Sequence, residues 1–167
     1  TYEWKVAIKG EPWWKGDTLA VSLGQGYLLV TPLQIARMIS SICTGYLIKP
    51  RILQDEDIEI EELLITNSTL DILRESMTKA VSKGTAKLLR RLVDFEIHAK
   101  TGTAQTTSLK NEIVKKSQLE HAWFASYFKY KDQEPLTLIV LVENAGSSRP
   151  AQKIALNFLK NYQKLFI

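Results

Sequence analysis

Two serines in this chain stand three residues before a lysine, and a Lys-Thr-Gly-Thr run stands apart from both. A serine hydroxyl becomes a nucleophile when a neighbouring base takes its proton, so Ser-x-x-Lys is a spacing with chemical meaning. Ser76-Met-Thr-Lys79 falls in a helical pattern, where positions i and i+3 share a face and the amine can reach the hydroxyl. Its serine sits between Leu73 and Met77. Ser126-Tyr-Phe-Lys129 falls in a strand pattern, where i and i+3 point to opposite faces, and is rejected. The third feature is Lys100-Thr101-Gly102-Thr103, in the context Glu96-Ile-His-Ala-Lys-Thr-Gly-Thr-Ala-Gln105. A bare Lys-Thr-Gly arises by chance in roughly 2% of chains this long, so its context decides. Cys43 is the only cysteine, which excludes an intramolecular disulfide and a cysteine metal cluster. It lies at core-like spacing and reads as a buried thiol. His98 and His121 alone do not complete a common zinc site. No metal and no cofactor is called for.

The elements that must position these residues divide at about residue 95. Residues 1–16, with three of the four tryptophans and Pro12, read as an irregular segment packed on something larger. Gly24 and Gly26 allow a tight turn. Thr31-Pro32 opens a helix, with Thr31 as N-cap and Pro32 at the first helical position. Ile35, Met38, Ile39 and Ile42 form its apolar stripe, and Gly45 ends it. Asp55–Glu62 reads as an exposed acidic connector. A second helix runs from about Ser68 to Lys83, capped by Ser68 and closed by Gly84. Thr85–Leu92 reads as one more short helix. Strands follow over Glu96–Thr103, His121–Tyr130 and Leu136–Glu143, the last two joined as a hairpin across Asp132–Pro135. Thr106–Glu120 reads as a polar loop. Pro150 starts a C-terminal helix whose face is Ile154, Ala155, Phe158, Leu159 and Tyr162. The fold class is therefore α+β: helices, three antiparallel strands and a covering helix, with the other sheet face left for helices of the first half or for elements elsewhere.

The 167 residues fit one domain, mainly helical over 1–95 and strands plus helix over 96–167. Hydrophobic residues make up 45% and charged residues 24%, as in ordinary globular chains. The longest apolar stretch, Leu136–Val142, is interrupted by Thr137 and too short to span a bilayer. The chain opens on Thr1 without an initiating Met or a signal peptide, as expected of an excised or processed piece. Net charge is +4, from 22 basic and 18 acidic residues. Lys83, Lys87, Arg90 and Arg91 precede the Lys-Thr-Gly run, and Lys110, Lys115 and Lys116 follow it. They read as solvated faces, with attraction of an anionic substrate or a membrane surface as the functional alternative. Lys83–Arg91 contains no aromatic residue, so no nucleic-acid partner is expected.

Four segments carry a resemblance, in matching order and spacing. Gly16-Asp-Thr-Leu-Ala-Val-Ser-Leu-Gly-Gln-Gly-Tyr-Leu-Leu-Val-Thr-Pro-Leu-Gln-Ile-Ala36 is followed by Lys83-Gly-Thr-Ala86, His98-Ala-Lys-Thr-Gly-Thr-Ala-Gln105 and His121-Ala-Trp-Phe124. Together they resemble the C-terminal part of the transpeptidase domain of class B penicillin-binding proteins, above all the elongation-type enzymes called penicillin-binding protein 2. The resemblance covers most of the chain from Gly16 onward and implies the penicillin-binding protein and serine β-lactamase fold. It implies a D,D-transpeptidase that cross-links cell-wall stem peptides through an acyl-serine and binds β-lactams. Lys100 would face the substrate carboxylate and the nucleophile's proton relay. The Thr101 and Thr103 hydroxyls would hydrogen-bond that carboxylate, and Gly102 would let the peptide lie against the strand edge. The Thr103 backbone N–H would be one of two oxyanion donors. Gly24, Gln25 and Gly26 would shape the floor near the site. His121 would be a structural hydrogen-bonding residue, and His98 has no assigned role. The family's location implies the extracytoplasmic side of a bacterial inner membrane, with an anchor outside this sequence.

The family's nucleophile motif, Ser-x-x-Lys, is expected well before Gly16, where only fifteen residues without a serine stand, and its Ser-x-Asn triplet is also absent, since Asn67-Ser68 and Asn144 do not supply it. Ser76-Met-Thr-Lys79 follows the Gly-Gln-Gly segment, the wrong order. Ala125–Tyr130 also departs, standing where relatives run to a Phe-Ala-Pro turn. The expectation is an inactive piece of an active parent. The alternatives are a β-lactamase-like hydrolase piece and a non-catalytic interaction module. Missing sheet strands would leave apolar surface and an open edge, so the piece is expected to self-associate.

Overall fold

The computed structural model describes residues 1–106 and 119–166. The polar loop expected over 106–120, with Lys110, Lys115 and Lys116, lies almost wholly outside the described residues. The chain forms two compact units, Thr1–Val30 and Thr31–Ile167.

The first unit corrects the irregular reading of residues 1–16. Helix α1 spans Tyr2–Lys9, because the breakers Gly10 and Pro12 come only after it. The Thr1 side chain caps it by accepting from the Trp4 N–H at 3.3 Å, and Gly10, with φ of 69°, ends it in the left-handed region. Helix α2 spans Lys15–Ser22, where Asp17 accepts the Trp14 N–H at 2.7 Å. The two helices are joined by one ion pair: Lys5 is only 2% exposed and its Nζ lies 2.7 Å from Asp17. The Lys5 ammonium, and then the Trp14 N–H, hold the Asp17 carboxyl below its ordinary value of 3.8. A depressed carboxyl stabilises the folded form above its unfolded value and loses that contribution as pH falls through the folded one. Acid titration followed by emission of Trp4, Trp13 and Trp14 is therefore expected to show unfolding of this unit below about pH 4. Asp17→Asn is expected to remove that acid transition and to leave a less stable unit at neutral pH.

In the second unit, helix α3 spans Pro32–Thr44, with Thr31 and Gln34 forming a reciprocal cap and Gly45 ending it at φ of 87°. Ile39 is buried and Ile35 and Ile42 are partly buried, but Met38 faces solvent, so the stripe is narrower than its sequence pattern. The expected acidic connector is in part a strand. β1 (Tyr46–Ile48) pairs antiparallel with β2 (Ile60–Glu62), a hairpin too short and too charged to register as alternation. Helix α4 spans Asn67–Ser82, and its cap is Thr66 rather than Ser68. Arg74 ties α4 to α3: its Nε donates to the Ile42 carbonyl at 2.8 Å and its Nη2 to that of Cys43 at 3.0 Å, satisfying helix-end acceptors. The expected short helix is a 3-10 helix at Lys87–Arg91.

Gly84 closes α4 for a steric reason. A Cβ there would stand 2.8 Å from the Ala80 Cα and 3.0 Å from the Ala80 carbonyl oxygen, both backbone atoms. Gly84→Ala is expected to cost about 1–3 kcal/mol, read as a lower urea midpoint; an unchanged midpoint would contradict this packing.

Strands β3 (Phe95–Ala104), β4 (His121–Tyr130) and β5 (Leu136–Val142) form an antiparallel sheet in that order. On one face Ile97, Ala99, Phe124 and Phe128 pack with Leu89 and with Ala151, Ala155 and Leu159 of helix α5 (Arg149–Tyr162). Ile154 and Phe158, expected on that face, are about half exposed; the burying line of α5 is 151, 152, 155 and 159. On the other face Ala125, Tyr127 and Ile139 meet Ile39 of α3 and Met77 of α4. Helices of the first half thus cover that face, one of the two arrangements open from the sequence. Covered on both sides, β4 is buried almost throughout, which is why its sequence shows no alternation.

Candidate functional site

Lys100–Thr103 lie on the sheet's edge strand, facing Ala125, Phe124, Trp123 and Ala122 of β4. Strand alternation splits the motif. Lys100 projects on the α3–α4 side with His98 and is exposed. Thr101 projects on the α5 side, is 6% exposed, and its hydroxyl donates to Thr85 Oγ1 at 2.7 Å. The Lys100 Nζ donates to the Thr101 carbonyl. A Cβ on Gly102 would stand 3.4 Å from that of Trp123, at the near limit of ordinary contact. Thr103 is half-buried. The outer edge of β3 has no strand partner among the described residues.

Thr85 explains part of the Lys83-Gly-Thr-Ala86 segment. The Gly84 turn brings its hydroxyl under Thr101, and Ala86, fully buried, donates its N–H to the Ala80 carbonyl at 2.9 Å. The sequence offered no separate signal for this contact, since sixteen residues part the two threonines.

His98 gains a positional role. Its Nδ1 lies 2.8 Å from Thr78 Oγ1 and 3.3 Å from the Arg74 carbonyl, and its Nε2 lies 2.9 Å from Glu96 Oε1. The ring stacks on Tyr127 at 4.3 Å between centroids. Burial pushes the Tyr127 phenol up to about 12 and raises the Cys43 thiol, so both groups stay neutral at ordinary pH. A polar chain therefore runs from the end of α3 through Arg74 and Thr78 to His98, two residues before Lys100. His121 is structural, as expected: its Nδ1 accepts the Asn144 N–H at 3.0 Å, across the turn after β5.

In neither serine–lysine pair does the serine hydrogen-bond its lysine among the described residues. Ser76 and Lys79 are both exposed on α4, and Lys79 Nζ pairs with Glu75 at 2.6 Å, which holds the Glu75 carboxyl low. Ser126 is fully buried and donates to the Leu138 carbonyl at 3.2 Å, while Lys129 is exposed. Two clefts among the described residues lie elsewhere. One of about 600 Å³ runs between Arg91–Asp94 and the end of α5, and one of about 370 Å³ between α4 and the first half of β3. Lys100–Thr103 line neither.

This motif strand, with its flanking cap and covering helices, has counterparts in known proteins. The family model for the penicillin binding protein transpeptidase domain matches residues 5–161. The peptidoglycan D,D-transpeptidase MrdA of Haemophilus influenzae is 32% identical over 166 residues, covering 87% of this chain and 25% of the relative. A solved penicillin-binding protein (PBP2) from Helicobacter pylori superposes with a TM-score of 0.77 at 26% identity, over 98% of this chain and 30% of that one. A complex between PBP2 and MreC from the same organism gives 0.76, likewise at 26% identity, over 99% and 31%. The chain thus spans about a quarter of the length of the curated relatives it matches. With the family model matching residues 5–161, nearly the whole of this chain, and a relative 32% identical over 87% of it, this chain belongs to the penicillin-binding protein transpeptidase family, in its PBP2-like branch.

Proposed function

We propose that this chain forms the substrate-binding strand and half the oxyanion hole of a serine D,D-transpeptidase whose nucleophile lies elsewhere in a longer protein. The observation that carries this reading is Lys100 on β3, the edge strand of the sheet, whose outer side has no strand beside it among the described residues and which Thr85 and His98 tie to the neighbouring elements. A stem peptide would add along that edge, recognised by main-chain hydrogen bonds. The Lys100 ammonium would meet its terminal carboxylate, with the Thr103 hydroxyl beside it. The Thr101 hydroxyl, expected from the sequence to bond that carboxylate, is instead buried with its proton given to Thr85, so Thr101 would serve by holding the strand in place. The serine oxygen would attack the penultimate carbonyl, and the Thr103 N–H would hold the oxyanion with the nucleophile's own N–H. The terminal D-alanine would leave with the proton, and an amine of a second stem peptide would take the acyl group. β-Lactams would enter the same site and stay as the acyl-enzyme.

On this reading the 167 residues are one partial domain, inactive alone and prone to self-association through the sheet edges that have no strand beside them among the described residues. The longer protein would work on the extracytoplasmic side of a bacterial inner membrane, anchored by a segment outside this chain. The test is fluorescent penicillin. The longer protein is expected to take covalent label on a serine outside these residues, and the chain alone to take none. Stable label on Ser76 would sink the proposal.

A further inference from the structure

The segment from Tyr46 to Ile65 forms an arm on α3 that the transpeptidase reading does not use. It holds six carboxylates, Asp55, Glu56, Asp57, Glu59, Glu61 and Glu62, against only Lys49 and Arg51, in a chain of net charge +4. Lys49 pairs with Glu59 at 2.6 Å, and Arg37 of α3 reaches Glu61 at 3.5 Å. Asp55, Glu56, Asp57 and Glu62 make no ion pair among the described residues. Aliphatic side chains stand between the acids and are equally open. Ile52 is 97% exposed, Leu64 99%, and Ile58 and Ile60 are both more than half exposed. A connector serving only as a spacer has no use for branched aliphatics in water.

The arm nonetheless holds a defined form. Arg37 Nε donates to the Ile48 carbonyl at 3.0 Å, the Lys49 N–H donates to the Glu59 carbonyl at 3.0 Å, and Arg51 Nη1 donates to the carbonyls of Gln54 and Glu56. Ile60 stands opposite Ile48, and the outer edge of β2 has no strand beside it among the described residues. An unpaired edge is a template for a further strand. Unpaired carboxylates select cations, and the aliphatics between them select apolar side chains.

We propose that this arm is a docking surface for a basic, apolar, extended segment of another protein. That segment adds to β2 and sets its cations against Asp55, Glu56, Asp57 and Glu62. Main-chain bonds give the affinity, and the charges set register and partner choice. The surface is independent of the Lys100 site and of the reaction carried there.

The test uses a labelled peptide of alternating lysine and leucine, with an alternating glutamate and leucine peptide as control. Binding is read by fluorescence anisotropy to the protein that carries this chain. The basic peptide is expected to bind, to weaken as salt rises, and to ignore the substitution Lys100→Ala. Charge reversal at Asp55, Glu56 and Asp57 is expected to weaken it about tenfold or more. Ile60→Ser is expected to weaken it as well, with an unchanged unfolding midpoint, because that side chain is exposed. Equal binding of the two peptides, or binding indifferent to these substitutions, overturns the proposal. So does oligomer growth in sedimentation that the arm substitutions abolish, which makes a second copy the occupant. Binding to the isolated chain but not to the longer protein overturns it too, since the occupant is then part of the same polypeptide.

Discussion

Lys100→Ala in the longer protein is expected to slow acylation by fluorescent penicillin about 10²–10³-fold, while the unfolding free energy read from urea titration stays within about 0.5 kcal/mol of the parent. The two halves of this expectation come from the same geometry. Lys100 is exposed on an edge strand, and its ammonium reaches only a neighbouring carbonyl, so truncation opens no cavity and strands no buried partner. On the proposed reading, what would be lost is a cation facing the substrate carboxylate, in a site from which the bound substrate would displace water. Charge–charge attraction there exceeds its value in bulk water several-fold. Lys100→Arg separates charge from shape, since it keeps the cation but replaces a point charge with a planar fork, and is expected to recover only part of the rate. Thr101→Val probes a different element, because that hydroxyl is buried against Thr85, and its effect falls on stability as well as rate. Acylation of Lys100→Ala within threefold of the parent would remove the proposed role, with fold retention shown by the urea midpoint.

The α+β class and the three strands were legible because their signals are local. Thr31-Pro32 with Gly45 marks one helix by cap chemistry alone, and His121–Tyr130 is a strand by composition. The misses share one cause, contacts made over long separation. Residues 1–16 looked irregular because tryptophan and proline suggest it, yet Lys5 finds Asp17 twelve residues away and the pair fastens α1 to α2. β1 and β2 are three residues each, and residues 49–59 between them carry no period to betray their pairing. His98 looked like any strand residue; its partners are Thr78 and Arg74, twenty and twenty-four positions upstream. The candidate site was legible in its residue types and order. Its support by Thr85 and Thr78 was not, because a hydroxyl gives no sign in sequence of what it will bond.

Phe124→Ala is expected to lower the stability of the second unit by about 3–5 kcal/mol, a large share of the roughly 5–15 kcal/mol that holds a domain folded. Phe124 is 0% exposed on the central strand, opposite Thr101 on β3 and Val140 on β5. It packs in the same cluster as Leu89, Ala155 and Leu159. Alanine leaves a ring-sized void between the sheet and α5 that small neighbours cannot fill, since Ala86, Ala99, Ala151 and Ala155 are already the minimal side chains of that layer. The void opens directly behind the motif strand, so two readouts should move together. The urea midpoint falls, and acylation in the longer protein falls with it even under conditions where the variant is folded, because Thr101 and its Thr85 partner lose their backing. Phe124→Leu separates the two effects: it refills most of the volume, costs about 1–1.5 kcal/mol, and should restore acylation nearly to the parent rate. The contrast with Leu136→Ala, at the exposed start of β5, fixes the scale, since that change should cost well under half as much. A loss below 1 kcal/mol for Phe124→Ala would mean that β4 is not the centre of this core. The motif strand would then owe its position to contacts outside these residues.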